Sequence, residues 1–320
     1  MRVKALLSLA VSSVLSLCAQ DVVRLGNLKF AHYGAVSYMK DLAPKYKLKI
    51  EERMFAKGID INPAIVAGEI DASAAALDAA IAGRAAGVPI VVVAGFARGG
   101  ARLVVRPDAG IRSLKDLKGK KVGVARGGAQ ELLLLAELAK AGLSWSDKPG
   151  KDVLVLYLPF ADLNQALMAR NIDAMCQSEP YSSQAINRKF GVELLKPYDT
   201  PIGEPIRALV ITEKLYKERR DVAQRFLLCF VEATKKFIDE PKTAETFVRE
   251  TMFKNQITAA DYQDAIGNSP FSYDISLQHV QITTDLMAKY GVGKMANPPK
   301  AGDWVRLDLL QEAKKQLKVQ

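Results

Sequence analysis

The sequence predicts an α/β protein built as two similar lobes, and three observations carry that expectation. Its 320 residues are too many for one small core and suit two units of about 100 to 200 residues each. Short apolar runs alternate along the chain with helical patterns, the arrangement of parallel strands joined by crossover helices. Finally, INPAIVAGEIDA at 61–72 returns as LNQALMARNIDA at 163–174, where Asn62, Ala64, Ala67, Ile70, Asp71 and Ala72 meet identical residues at Asn164, Ala166, Ala169, Ile172, Asp173 and Ala174. The likeness extends outward. Phe55-Ala56 precedes one copy as Phe160-Ala161 precedes the other, and Leu25-Gly26 opens the first unit as Val122-Gly123 opens the second.

Taken in order, residues 1–20 have a basic start at Arg2 and Lys4, an apolar body and small residues near Ala19, which predicts an export signal over 1–19. Leu15-Ser16-Leu17-Cys18 is close to a lipoprotein cleavage box, so the exported protein is expected either free or anchored through Cys18. Lobe one spans 21–101: a strand at 22–25, a loop at 27–34, a helix at 35–43 stopped by Pro44, a strand at 47–54, then the 61–72 helix running into a strand. The run 88–97 reads as a buried strand, too short to cross a membrane. Lobe two spans 107–205. It opens with a strand at 122–125, a break at Gly127-Gly128, and a helix with Glu131 in its first turn and Gly142 after its last. Residues 101–106 and 207–211 read alike as strands between the units, and they are the expected hinge. From 212 to 320 the pattern is helical, at 213–217, 221–238, 241–251, 259–265, 276–290 and 305–317, and this return is expected to pack on lobe one.

Composition removes several functions. The net charge of +10 is spread along the chain and its basic residues alternate with acids, as in Glu218-Arg219-Arg220-Asp221, so solvated faces are expected rather than a nucleic-acid groove. Beyond Cys18 only Cys176 and Cys229 remain, in different lobes, which predicts two buried free thiols. There are two histidines, His32 and His279, and no Cys/His cluster with metal-site spacing, so neither metal nor cofactor is expected. Gly119-Lys120-Lys121 lacks phosphate-loop spacing, and Gly123, Gly127 and Gly128 do not fit the dinucleotide fingerprint.

What the strand, glycine turn and helix over 122–142 supply is a row of unpartnered amides at a positive dipole end, which favours an anionic or strongly accepting group. Ligands of open α/β sheets sit outside the carboxyl ends of the strands, and two facing lobes would aim their loops at one cleft. The expected contacts are Phe30, His32, Tyr33 and Tyr181 as walls, Lys57 in the 55–58 loop, the amides of Gly127, Gly128, Ala129 and Gln130, and the carboxylates Asp78 and Glu179. The amides would take an anion and the carboxylates an amine, a pairing that suits an aminosulfonate or aminopyrimidine better than nitrate. Neither histidine lies beside a nucleophile or a paired acid, so no enzymatic activity is expected.

Val122-Gly123-Val124 with its glycine loop, Ala141-Gly142-Leu143, the 167–174 segment with its Ile-Asp-Ala strand, and Glu179-Pro180-Tyr181 together resemble the substrate-binding proteins of ABC importers for nitrate, sulfonate, taurine and thiamine-precursor pyrimidines. The resemblance covers about 22–235. It implies the type II periplasmic binding protein fold, a periplasmic monomeric solute receptor, and a membrane permease with its ATPase as partners. The alternatives are a ligand-binding sensor of the same build, or a pyrimidine-synthase-like enzyme of the same superfamily. The chain lacks a cysteine-rich motif like that enzyme's, which lowers the second alternative.

Overall fold

The computed structural model describes residues 20–319. The expected export signal and Cys18 lie outside the described residues. Among the described residues eleven strands form two mixed sheets. The first holds β1 (Asp21–Leu28), β2 (Leu48–Phe55), β3 (Ala72–Ala76), β4 (Ile90–Arg98) and β11 (Ile206–Thr212), in the order β2-β1-β3-β11-β4. The second holds β5 (Ala101–Val105), β6 (Lys121–Val124), β7 (Trp145–Ser146), β8 (Val153–Tyr157), β9 (Ala174–Ser178) and β10 (Val192–Leu195), in the order β10-β5-β9-β6-β8-β7. Strands joined through a helix run parallel, as β1 does to β3 and β6 to β9. The two strands that carry the chain between sheets, β5 and β11, run antiparallel to their neighbours. The crossings themselves are the Gly99-Gly100 turn and the 196–205 loop, each immediately before one of the predicted hinge strands.

The repeated dodecapeptide has the same task in both sheets, which explains the residues it keeps. Asp71 accepts the backbone N–H of Arg24 at 3.0 Å, and Asp173 accepts that of Lys121 at 2.9 Å, so each aspartate ties its own strand to the first strand of its unit. Asn62 donates its amide to Ala79 O at 3.3 Å and Asn164 donates to Tyr181 O at 2.9 Å, which fixes one helix on the start of the next. The glycine of each opening strand is forced by the same helix. A Cβ on Gly26 would lie 2.6 Å from Ile61 Cγ2, and one on Gly123 would lie 2.9 Å from Leu163 Cδ2. Removing the side chain lets helix and strand approach to this distance.

The tail helices pack chiefly on the first sheet. In the helix Arg220–Asp239, Phe226, Phe230, Ala233 and Phe237 recur at helical spacing and are buried, a stripe in which each phenylalanine contributes about 1.5–3 kcal/mol by leaving water. The expected helix at 241–251 divides into Pro241–Thr246 and a wider π-helical turn, Phe247–Met252. The expected helix at 305–317 begins only at Asp308, because Val305 bridges Val92 and the N–H of Arg306 donates to Val92 O at 2.8 Å, holding that stretch extended along β4. The tail also reaches the second lobe, where Asn187 donates to Asp261 at 2.8 Å and Arg102 holds Asp264 at 2.8 and 2.9 Å. Cys176 and Cys229 are buried and free, and burial pushes both thiols up. Among the described residues no helix is long and apolar enough to cross a membrane.

Candidate ligand-binding site

The carboxyl ends of β1, β3, β6 and β9 converge between the lobes, and β11 crosses that edge from the opposite direction. Its antiparallel register sets Arg207 opposite Ala76, the last residue of β3. An arginine at the start of an apolar strand is thereby delivered to the place where parallel strands present their loops. Arg207 is 2% exposed. Its Nε donates to His32 Nε2 at 3.2 Å and its Nη2 to Gly100 O at 3.4 Å, while Nη1 is buried without a partner. Among the described residues it has no ion pair. This residue was expected only as part of a hinge strand.

Arg207 lines a cavity of ≈ 20 Å³ together with six of the predicted residues, Phe30, Tyr33, Lys57, Gly127, Gly128 and Gln130, and with Phe160 and Ser178, which were not among the expected contacts although they lie in strand-end segments expected to face the cleft. The space is about that of one water. The aromatic wall joins the lobes: Phe30 meets Phe160 edge-on at 5.2 Å and Tyr181 at 6.0 Å between ring centroids. Gly127 N donates to the Glu131 carboxylate at 2.7 Å, so one amide of the turn is already taken. The amides of Gly128, Ala129 and Gln130 have no acceptor among the described residues, as the start of the helix Ala129–Lys140 dictates. The Gln130 side chain donates to Gly100 O at 3.2 Å, beside the first crossing.

The titratable groups are sorted by burial. His32 is held well below its usual pKa, first by burial and then by the Arg207 charge, so its ring is neutral and serves as an acceptor toward Arg207. Burial raises Asp78 to about 6, with Arg207 opposing the rise. Both carboxylate oxygens of Asp78 are buried without partners, and with Ala129 and His279 this aspartate lines a neighbouring cavity of ≈ 10 Å³ rather than the one at Arg207.

Glu179 stands apart from the expected contact set. It does not line the Arg207 cavity. Its Oε1 lies 2.9 Å from Arg102 Nε and accepts from Asn268 at 2.8 Å, and its Oε2 accepts from the N–H and hydroxyl of Ser183 at 3.1 and 2.7 Å. Those four partners use the carboxylate for joining the tail to the second lobe. Lys57 and Phe160 also line a second chamber of ≈ 350 Å³, walled further by Ala56, Ala125, Arg126, Tyr157, Leu158 and Pro159. Among the described residues no cluster of three or more His, Cys, Asp or Glu is placed to hold a metal ion.

Comparison with known proteins agrees with this geometry. The model of the NMT1-like family matches residues 22–250. A protein of Brachyspira hyodysenteriae described as an ABC transporter periplasmic binding protein is 24% identical over 292 residues, covering 83% of this chain and 82% of its own. The alkanesulfonate-binding protein SsuA of Xanthomonas axonopodis pv. citri, solved with MOPS bound, superposes with a TM-score of 0.75 at 19% identity, over 89% of this chain and 98% of its own. The nitrate-binding protein NrtA of Synechocystis PCC 6803 superposes with a TM-score of 0.75 at 17% identity, over 94% of this chain and 90% of its own. The fold is that of the periplasmic binding proteins.

Proposed function

The chain belongs to the NMT1-like family, and from that premise we propose that it is the extracytoplasmic solute-binding component of an ABC importer, carrying a small anionic organic solute to a membrane permease and its ATPase. The relatives described as periplasmic, sulfonate-binding and nitrate-binding proteins support this reading. One observation carries the charge of the solute: Arg207 is a buried cation with a free Nη1 and no ion pair within 4 Å among the described residues, the nearby Asp78 carboxylate acting on it without a direct bond. Buried charges are as a rule paired, since the cost of leaving one alone is several kcal/mol. Gly128 and Gln130, at the start of the helix Ala129–Lys140, line the same cavity, so cation and helix terminus favour one anionic group.

Of the two expected carboxylates, Glu179 is occupied by Arg102, Asn268 and Ser183, and Asp78, which lines the neighbouring cavity, is the one left free for an amine on the solute. A sulfonate or aminosulfonate therefore suits the cleft, and an aminopyrimidine, which brings no anion to Arg207, suits it poorly. The protein acts as a monomer and catalyses no reaction in this reading, with residues 1–19 directing its export. A thermal-shift screen tests it, since a solute that binds only the native state raises the melting temperature. Alkanesulfonates, arylsulfonates, taurine and nitrate are set against an aminopyrimidine. Stabilisation by the pyrimidine with none by any anion would overturn the proposal.

A further inference from the structure

Resting on that reading, we propose that the cleft is two chambers in series and that its solute is an extended aryl anion, with the charged head at Arg207 and the aromatic body in the outer chamber. The inner cavity of ≈ 20 Å³ and the outer chamber of ≈ 350 Å³ share Lys57 and Phe160 in their walls, so they are adjacent, and a solute admitted when the lobes part can lie across both as they close. The outer volume lies within the range of about 300–1,000 Å³ that ligand sites commonly have, and a compact inorganic anion would leave it unused.

The walls match an aromatic body. Phe160 stands at the boundary and lines both chambers, its ring already edge-on to Phe30 at 5.2 Å. Leu158 and Ala125 add apolar surface. Arg126 lies over the Tyr157 ring at 3.5 Å, and its only ion pair among the described residues is a long one, Nη2 to Asp147 at 3.4 Å. A guanidinium stacked on tyrosine is a flat, weakly hydrated cationic surface that complements the π face of an aryl group. Ala56 and Lys57 come from lobe one, whereas Ala125, Arg126 and the 157–160 segment come from lobe two. A body seated there touches both lobes and adds binding free energy only when they are together, which favours closure.

Calorimetry with nitrate, methanesulfonate, benzenesulfonate and 2-naphthalenesulfonate tests the proposal. The parent protein should bind the naphthyl compound at least about tenfold more tightly than methanesulfonate, the effect of burying one aromatic face. That ratio should fall toward one in Tyr157→Ala and in Arg126→Ala, and should survive in Tyr157→Phe, which keeps the ring and loses only the hydroxyl; each variant is first shown to melt like the parent. A parent that binds nitrate or methanesulfonate as tightly as the naphthyl compound, or a ratio that persists in both alanine variants, overturns the two-chamber assignment and leaves the importer reading intact. If no anion binds at all, the importer reading falls and this one with it.

Discussion

Arg207 and Asp78 set the chemistry of the cleft at the scale of single residues. Arg207→Gln keeps a polar side chain and removes the charge, so the affinity for a sulfonate should fall about tenfold to a hundredfold, the worth of a charge-assisted hydrogen bond of roughly 1.5–3 kcal/mol. Titration calorimetry at matched ionic strength measures it, and unchanged affinity would place the anion elsewhere. Asp78 predicts a pH dependence. Its carboxyl is raised by burial to about 6 in the folded protein from its ordinary value of 3.8, so between these values the native state holds more protons than the unfolded chain. This contribution to stability is present below about pH 4 and is lost as pH rises through about 6. Denaturant melts of the parent and Asp78→Asn over pH 5 to 7.5 should therefore diverge, with the variant gaining relative to the parent at the alkaline end. The loop residues Phe30, His32 and Tyr33 were legible in the sequence because they follow a strand end. Arg207 was not, since only the antiparallel pairing of β11 with β3 brings it to the cleft. Glu179 was misplaced for the same kind of reason: Arg102 and Asn268, which occupy it, lie 77 and 89 residues away in the chain.

At the scale of elements, the doubled helix-to-strand unit was the most legible feature, because a contact made twice leaves the same residues twice. Asn62 and Asn164, Asp71 and Asp173, and Gly26 and Gly123 each repeat a bond or a close approach. The closeness of Gly26 to Ile61 is testable. Gly26→Ala should destabilise the protein by about 1–3 kcal/mol through overpacking. In combination with Ile61→Ala the loss should be smaller than the sum of the two single losses, because the added methyl fills space the shortened side chain vacates. Urea melts of the four proteins give the coupling, and strict additivity would mean that strand and helix part freely. The ends of the tail helices were less legible, since the pairing of Val305 with Val92 depends on where the folded chain returns.

For the molecule as a whole, the chain passes between the sheets at Gly99-Gly100 and 196–205, and the tail bridges to the second sheet through Arg102, Asp264 and Asn268. Small-angle scattering should show nearly the same radius of gyration with and without a tightly binding solute, because the lobes already enclose Arg207 without one; a radius that shrinks on addition would mean that the free protein stands open. The burial of Arg207 bears also on time. A solute cannot reach a side chain 2% exposed, behind the Phe30, Phe160 and Tyr181 rings, until the lobes part. Parting is a property of the protein alone, so in stopped-flow traces the observed binding rate should level off at high concentration, and the plateau should be the same for every solute, however different their affinities.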